Sequence, residues 1–244
     1  MNLKILGSSS KGNCYILGNE TECILIECGL KLDEIKKGLD FNILNVKACV
    51  VSHEHDDHAK AIKPILQSGI PVYCSNGTAS ALKIGQEQFE RISHGKSRKV
   101  GNWTFKAFSV EHDVKEPLGF IIEHSEIGSL LFVTDTYILK HDLSAFSFDT
   151  IMIEANYCET ITDKIRAAKG DDFVNRRRIN QHMSFQTAVV TLERLKLTNT
   201  NNIVLLHLSD GLTDEKRFER DIVKQFGISA TCAAPGVNIN LNGY

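Results

Sequence analysis

The sequence predicts an α+β fold of two facing sheets with helices on their outer faces, in a single domain spanning residues 1–244. Three observations predict it. The first half is a series of short apolar stretches separated by tight turns. The second half alternates apolar strands with helical patterns. No linker-like stretch, short-period repeat or biased tract interrupts the 244 residues, a length that one core can fill.

Residues 3–6, 14–17 and 23–27 read as the first strands, with Gly or Asn-Glu turns between them. Residues 46–51 form a continuous apolar run, as expected of a central strand covered on both faces. A helix is expected over 62–67, with Pro64 tolerated in its first turn. A strand at 72–74 and a helix near 78–84 follow, then strands at 104–110, 119–123 and 129–133. Beyond them come a strand at 150–154, a polar helix at 159–169, an amphipathic helix at 184–195 with Ser184 at its cap, and a strand at 202–206. A helix at 214–226 stops at Gly227, and the last strand lies near 237–241.

Composition narrows the function classes. Lys plus Arg is 28 against 30 Asp plus Glu, which excludes a domain that grips nucleic acid by bulk positive charge. The cysteines, at 14, 23, 28, 49, 74, 158 and 232, are odd in number and form no Cys-x-x-Cys. They read as small buried hydrophobes of a reducing compartment. The first residues read as a strand rather than a signal peptide, and no apolar run is long enough to span a membrane. A cytoplasmic protein with no membrane partner is expected; the oligomeric state is not written in the sequence.

The strongest chemical signal follows the strand at 46–51: Ser52-His53-Glu54-His55-Asp56-Asp57-His58. In an extended loop, residues two apart share a side, so His53, His55 and Asp57 converge, and His58 turns inward as the next helix begins. Imidazole and carboxylate suit a borderline divalent ion such as zinc, and the donors exceed what one tetrahedral site takes from one loop. The surplus points to two ions. His112, Asp135 and His207 also stand just past apolar strands, in the same relation as His53. A solvated polar turn is the bland alternative, and the buried strand before the loop weighs against it.

His-x-His-x-Asp-His with later strand-end His, Asp and His resembles the metallo-β-lactamase superfamily over nearly the whole chain. The resemblance implies a four-layer αβ/βα sandwich with a two-metal centre at its edge. It implies that His53, His55 and His112 hold one ion, that Asp57, His58 and His207 hold the other, and that Asp135 bridges them. Zn2+ fits best, and Mn2+ or Fe2+ is compatible. Such a pair generates hydroxide at neutral pH and clamps attacking and leaving oxygens. Two divalent ions, two aspartates and a hydroxide leave about one positive charge, suited to an anionic group.

Three segments narrow the branch. Gly7-Ser8-Ser9-Ser10-Lys11-Gly12-Asn13-Cys14-Tyr15 resembles the opening turn of the YycJ-like (WalJ-like) branch, with Ser10 and Asn13 as candidate phosphate contacts. The alternative is an ordinary Gly-rich hairpin. His182, just before the helix capped by Ser184, is placed like the proton donor of nuclease and phosphodiesterase branches. The run from Asp163 to Arg178 carries six cations and three acids, and Arg178 is a candidate backbone contact. One position departs from the superfamily pattern: Glu27 stands where an Asp commonly orients ligands. His94, His124 and His141 match no motif position.

The reading is therefore a metal-dependent phosphodiesterase, most specifically a DNA exonuclease, with Asp57 and His182 as its catalytic side chains and nucleic acid as substrate. The competing readings are a small-molecule hydrolase acting on a lactam, lactone or thioester, and a non-catalytic metal-dependent binding module.

Overall fold

A computed structural model describes residues 1–169 and 181–241. Its contacts divide the chain into two compact units. The first comprises Met1–Ser109, Val114–Gly128 and Ala234–Tyr244; the second comprises Val110–Asp113 and Ser129–Ala233.

The first unit holds a mixed sheet built from β1 (Asn2–Ser9), β2 (Gly12–Gly18), β3 (Cys23–Ile26), β4 (Val46–Val50), β5 (Val72–Cys74) and β6 (Glu90–Arg91) in chain order. The C-terminal strand Asn238–Asn240 (β14) pairs with β1 on the outside. The sheet changes direction at β3, which is antiparallel to β2 and parallel to β4. Ile26 is opposite Val50, so Glu27 and the segment after Val50 leave the same edge side by side. The predicted strands match β1 to β5 to within a few residues.

Five short helical segments serve this unit. α1 (Leu32–Gly38) has no counterpart in the sequence reading, because it buries only Ile35 and so shows no apolar stripe. A 3-10 turn at Ile43–Asn45 leads into β4. α2 (Asp56–Ala59) begins earlier than expected, so His55 is its N-cap and Asp57 lies in its first turn rather than in an extended loop. α3 (Ile62–Gln67) is as predicted. α4 (Asn76–Ala81) starts two residues before the predicted position because Ser75 Oγ accepts from Thr78 N–H and sets the cap there.

A three-stranded antiparallel run completes the unit: β7 (Ser97–Val100), β8 (Trp103–Ser109) and β9 (Leu118–His124). β6 and β7 were not anticipated, since both are polar and exposed. All seven cysteines are buried free thiols, and five of them (14, 23, 28, 49 and 74) belong to one apolar cluster with Leu25, Val51 and Ile65. Burial pushes the Cys74 thiol up to about 12, the behaviour of a small hydrophobe rather than a nucleophile.

The second unit carries four parallel strands in chain order: β10 (Gly128–Val133), β11 (Thr150–Glu154), β12 (Asn202–Leu206) and β13 (Ser229–Cys232). The apolar runs of β10, β11 and β12 reflect burial on both faces, and β11 is buried throughout, whereas the partly exposed β13 was not anticipated. α5 (Glu159–Lys169), α6 (Phe185–Glu193) and α7 (Glu215–Phe226) lie between or after them. Ser184 caps α6 as expected, and α7 ends at Gly227 in the left-handed conformation (φ 70°). Phe185 and Phe218 stack at 4.0 Å, joining α6 to α7. No described helix is long and apolar enough to cross a membrane.

Candidate metal centre

In the first unit, the candidate donors come from the exit of β4. Ser52 Oγ lies 2.8 Å from His53 Nδ1, which fixes that ring, and His53 Nε2 is 3.1 Å from His55 Nδ1. His58 is fully buried, with its ring centroid 4.2 Å from that of His53. Its Nε2 is 3.4 Å from Asp57 Oδ2. Four donors from one short loop thus crowd together at the end of a buried strand.

The neighbouring β3 supplies the supports. Glu27 adopts φ 62°, is wholly buried, and accepts Ser52 N–H through Oε1 at 3.1 Å. Its Oε2 is 3.5 Å from His58 Nδ1. Burial raises the Glu27 carboxyl, against the opposing pull of His58. Cys28 N–H donates to His58 O and Gly29 N–H to Asn13 O, both at 2.8–2.9 Å. A Cβ on Gly29 would land on the Asp57 carbonyl, so only glycine lets this backbone pass the loop so closely.

Asn13, a candidate phosphate contact in the sequence, lies against this loop. It is 1% exposed, and its Nδ2 donates to Asp57 O at 3.2 Å and Asp57 Oδ2 at 3.3 Å, and lies 3.1 Å from His58 Nε2. Its amide nitrogen thus braces the loop. Ser10 lies exposed in the β1–β2 turn. Arg178, with Arg176 and Arg177, lies outside the described residues.

In the second unit, Val133, Ile153 and Leu205 are in register across β10, β11 and β12. The residues that follow these positions, Asp135, Glu154 and His207, therefore gather at one edge. Asp135, Glu154, His182 and His207 each offer a ligand atom, all within 4.8 Å of one another. His112 Nε2 is 3.7 Å from Asp135 Oδ2. Asn156 Nδ2 donates to His207 O at 2.7 Å and lies 3.0 Å from its Nδ1. Asp135 (φ 46°) and His207 (φ 54°), like Glu27, take left-handed backbone at a strand end, strain of the kind that collects at functional sites.

Glu154 is the residue that sequence reasoning missed. It is fully buried, and Oε1 takes His182 Nδ1 at 2.6 Å and His207 Nδ1 at 3.1 Å. Oε2 accepts the N–H groups of Thr136 and Met183, both at 3.1 Å. Burial alone would raise its carboxyl, but the charge of His182 and the hydrogen bonds from both imidazoles outweigh that and hold it below the usual range. His182 responds in the opposite sense: burial would lower it, and Glu154 raises it above an ordinary imidazole. An acid closing an otherwise apolar buried strand was the available signal.

Buried imidazoles and carboxylates converging on small volumes are what a divalent cation would hold together, so the residues fit the metal-binding expectation.

Comparison with known proteins agrees. Residues 24–208 match the family described as "Beta-lactamase superfamily domain". The chain is 25% identical over 222 residues to "Exodeoxyribonuclease YycJ" of Bacillus anthracis, covering 86% of this chain and 83% of that protein. It is 24% identical to "Exodeoxyribonuclease WalJ" of Streptococcus pneumoniae serotype 2, covering 84% and 80%. The metallo-β-lactamase fold protein YhfI from Bacillus subtilis superposes with a TM-score of 0.73 at 14% identity, covering 97% of each chain, which shows the shared fold.

Proposed function

Because this chain belongs to the metallo-β-lactamase superfamily, in its YycJ-like branch, we propose that it is a metal-dependent phosphodiesterase acting as a DNA exonuclease. The observation that carries the reading is the Glu154–His182 contact of 2.6 Å beside Asp135 and His207. A phosphodiester leaving alkoxide needs a proton, whereas a thioester hydrolase, whose thiolate leaves without one, has less use for an imidazole held ready to donate.

In this reading the two units form one catalytic domain. His53, His55, Asp57, His58, His112, Asp135 and His207 would hold the ions. Zinc is the favoured metal, given imidazole-rich donors. Divalent ions, when bound there, supply Lewis acidity and lower the pKa of water. The chain's own residues do the rest. Asp57 accepts a proton from the attacking water. Glu154 keeps the His182 ring oriented through Nδ1, leaving Nε2 to donate to the departing 3′ or 5′ oxygen. Glu27 and Asn13 fix the loop that presents Asp57 and His58.

The test is hydrolysis of end-labelled single- and double-stranded DNA with Zn2+ or Mn2+, beside Asp57→Ala and His182→Ala. Stepwise shortening by the wild type and its loss in both variants is expected. Metal-loaded protein that cleaves no phosphodiester, yet opens a lactone or thioester, would replace this reading with the small-molecule one.

A further inference from the structure

Against a net charge of −2 for the chain, residues 91–110 carry five cations (Arg91, Lys96, Arg98, Lys99 and Lys106) and no carboxylate. Arg91 ends β6, and the other four cations lie just before β7 or on β7 and β8, with β7 the terminal strand of its sheet. Arg91, His94, Lys96, Arg98 and Lys99 are all exposed.

A chain of backbone contacts leads from this edge to the imidazole loop. Leu118 N–H donates to Ser52 O at 3.1 Å, immediately before His53. Leu118 is opposite Ser109, whose N–H donates to His94 Nδ1 at 3.1 Å. From there the edge runs away from the loop: Ala107 N–H donates to Lys96 O, Arg98 is opposite Phe105, and Lys99 is opposite Thr104. Residues 94–95 form the turn before β7, and at strand rise Ser97 to Val100 cover about 10 Å. That is the span of roughly three nucleotides of one duplex strand at about 3.4 Å each.

We propose that this edge binds the phosphodiester backbone of a nucleic-acid strand and leads it toward the His53–His58 loop. The proposal rests on the phosphodiesterase reading above. Glu90 adjoins Arg91, and Glu123 is opposite Thr104 on β9, but no acid interrupts the line from 94 to 99. Charged residues on an edge strand also discourage pairing with other chains. That protection does not depend on the sign of the charge, so reversing the charges separates the two roles.

The experiment uses the full chain carrying Lys96→Glu, Arg98→Glu and Lys99→Glu. Binding of fluorescein-labelled single-stranded DNA is read by anisotropy across a salt series in EDTA. Turnover of bis(p-nitrophenyl) phosphate is read with metal. The expected result is a loss of DNA affinity of at least about tenfold. The slope of log affinity against log salt should shrink by about two, from about 0.7 per lost contact. Turnover of the small diester should stay within about twofold. Unchanged affinity and slope would overturn the proposal. The corresponding triple Gln variant gives the same readout in weaker form if the reversed chain does not fold. A wild type that hydrolyses no phosphodiester, but whose DNA binding still falls on charge reversal, would sink the proposed activity and leave the binding edge standing. A charge-reversed chain that degrades DNA as well as the wild type at equal salt would do the opposite.

Discussion

Glu154 Oε1 holds His182 Nδ1 at 2.6 Å and, through the same oxygen, His207 Nδ1 at 3.1 Å. One buried carboxylate thus orients both a candidate proton donor and a candidate metal ligand. The shared oxygen makes the two rings interdependent, and the first prediction follows from it.

A general acid must be protonated to work, and its protonated fraction falls as pH rises through its pKa. Glu154 raises the His182 imidazole, so kcat should hold past the ordinary imidazole value of about 6.5 and decline only above it. Glu154→Gln removes the raising charge and should move that alkaline limb downward while lowering kcat. A kcat–pH profile on DNA that keeps its limb in the variant would exclude His182 as the titrating acid.

His182→Ala should discriminate between leaving groups. A deoxyribose alkoxide needs a proton, so DNA hydrolysis should fall by about 10²–10⁴. Nitrophenolate leaves without one, so turnover of bis(p-nitrophenyl) phosphate should fall by no more than about tenfold. Equal losses on both substrates would assign His182 to metal binding.

Asn13→Ala removes the amide that engages Asp57 and His58. Metal affinity, measured by competition with a chromophoric chelator, should weaken by about 10–100-fold. KM for DNA should change little. The reverse pattern would make Asn13 a substrate contact.

Gly29→Ala drives a methyl group into the Asp57 carbonyl. The expected cost is about 1–3 kcal/mol, read as a lower urea midpoint with an unchanged slope. A midpoint equal to the wild type would mean that the loop moves away freely.

Metal removal should lower the melting temperature, because an ion that binds only the folded chain stabilises it by mass action. At a free concentration 100 times Kd that contribution is about 2.7 kcal/mol. A chelator-insensitive melting curve would argue against resident ions.

Much of the candidate site was legible because its signals are local. His53, His55, Asp57 and His58 fall within six residues, and Asp135 and His207 stand within two residues of the end of an apolar strand. α3 and β5 were found at their observed bounds for the same reason: each carries its own pattern of apolar residues. α1, β6, β7 and β13 were missed because exposed or barely buried elements show no periodicity.

The sequence by itself therefore determined the donor types, their places at strand ends and the superfamily. Those follow from local spacing and from the apolar runs that parallel strands need. Only the tertiary structure decided which residues support the donors. Register across β10, β11 and β12 brings Glu154 to Asp135 and to His207, 53 residues further on. The parallel pairing of β3 with β4 brings Glu27 to Ser52, and the approach of Gly29 to the Asp57 carbonyl sets Asn13 against the same loop. A side chain's partner across a sheet is fixed by strand pairing and burial, and no spacing within one segment encodes it.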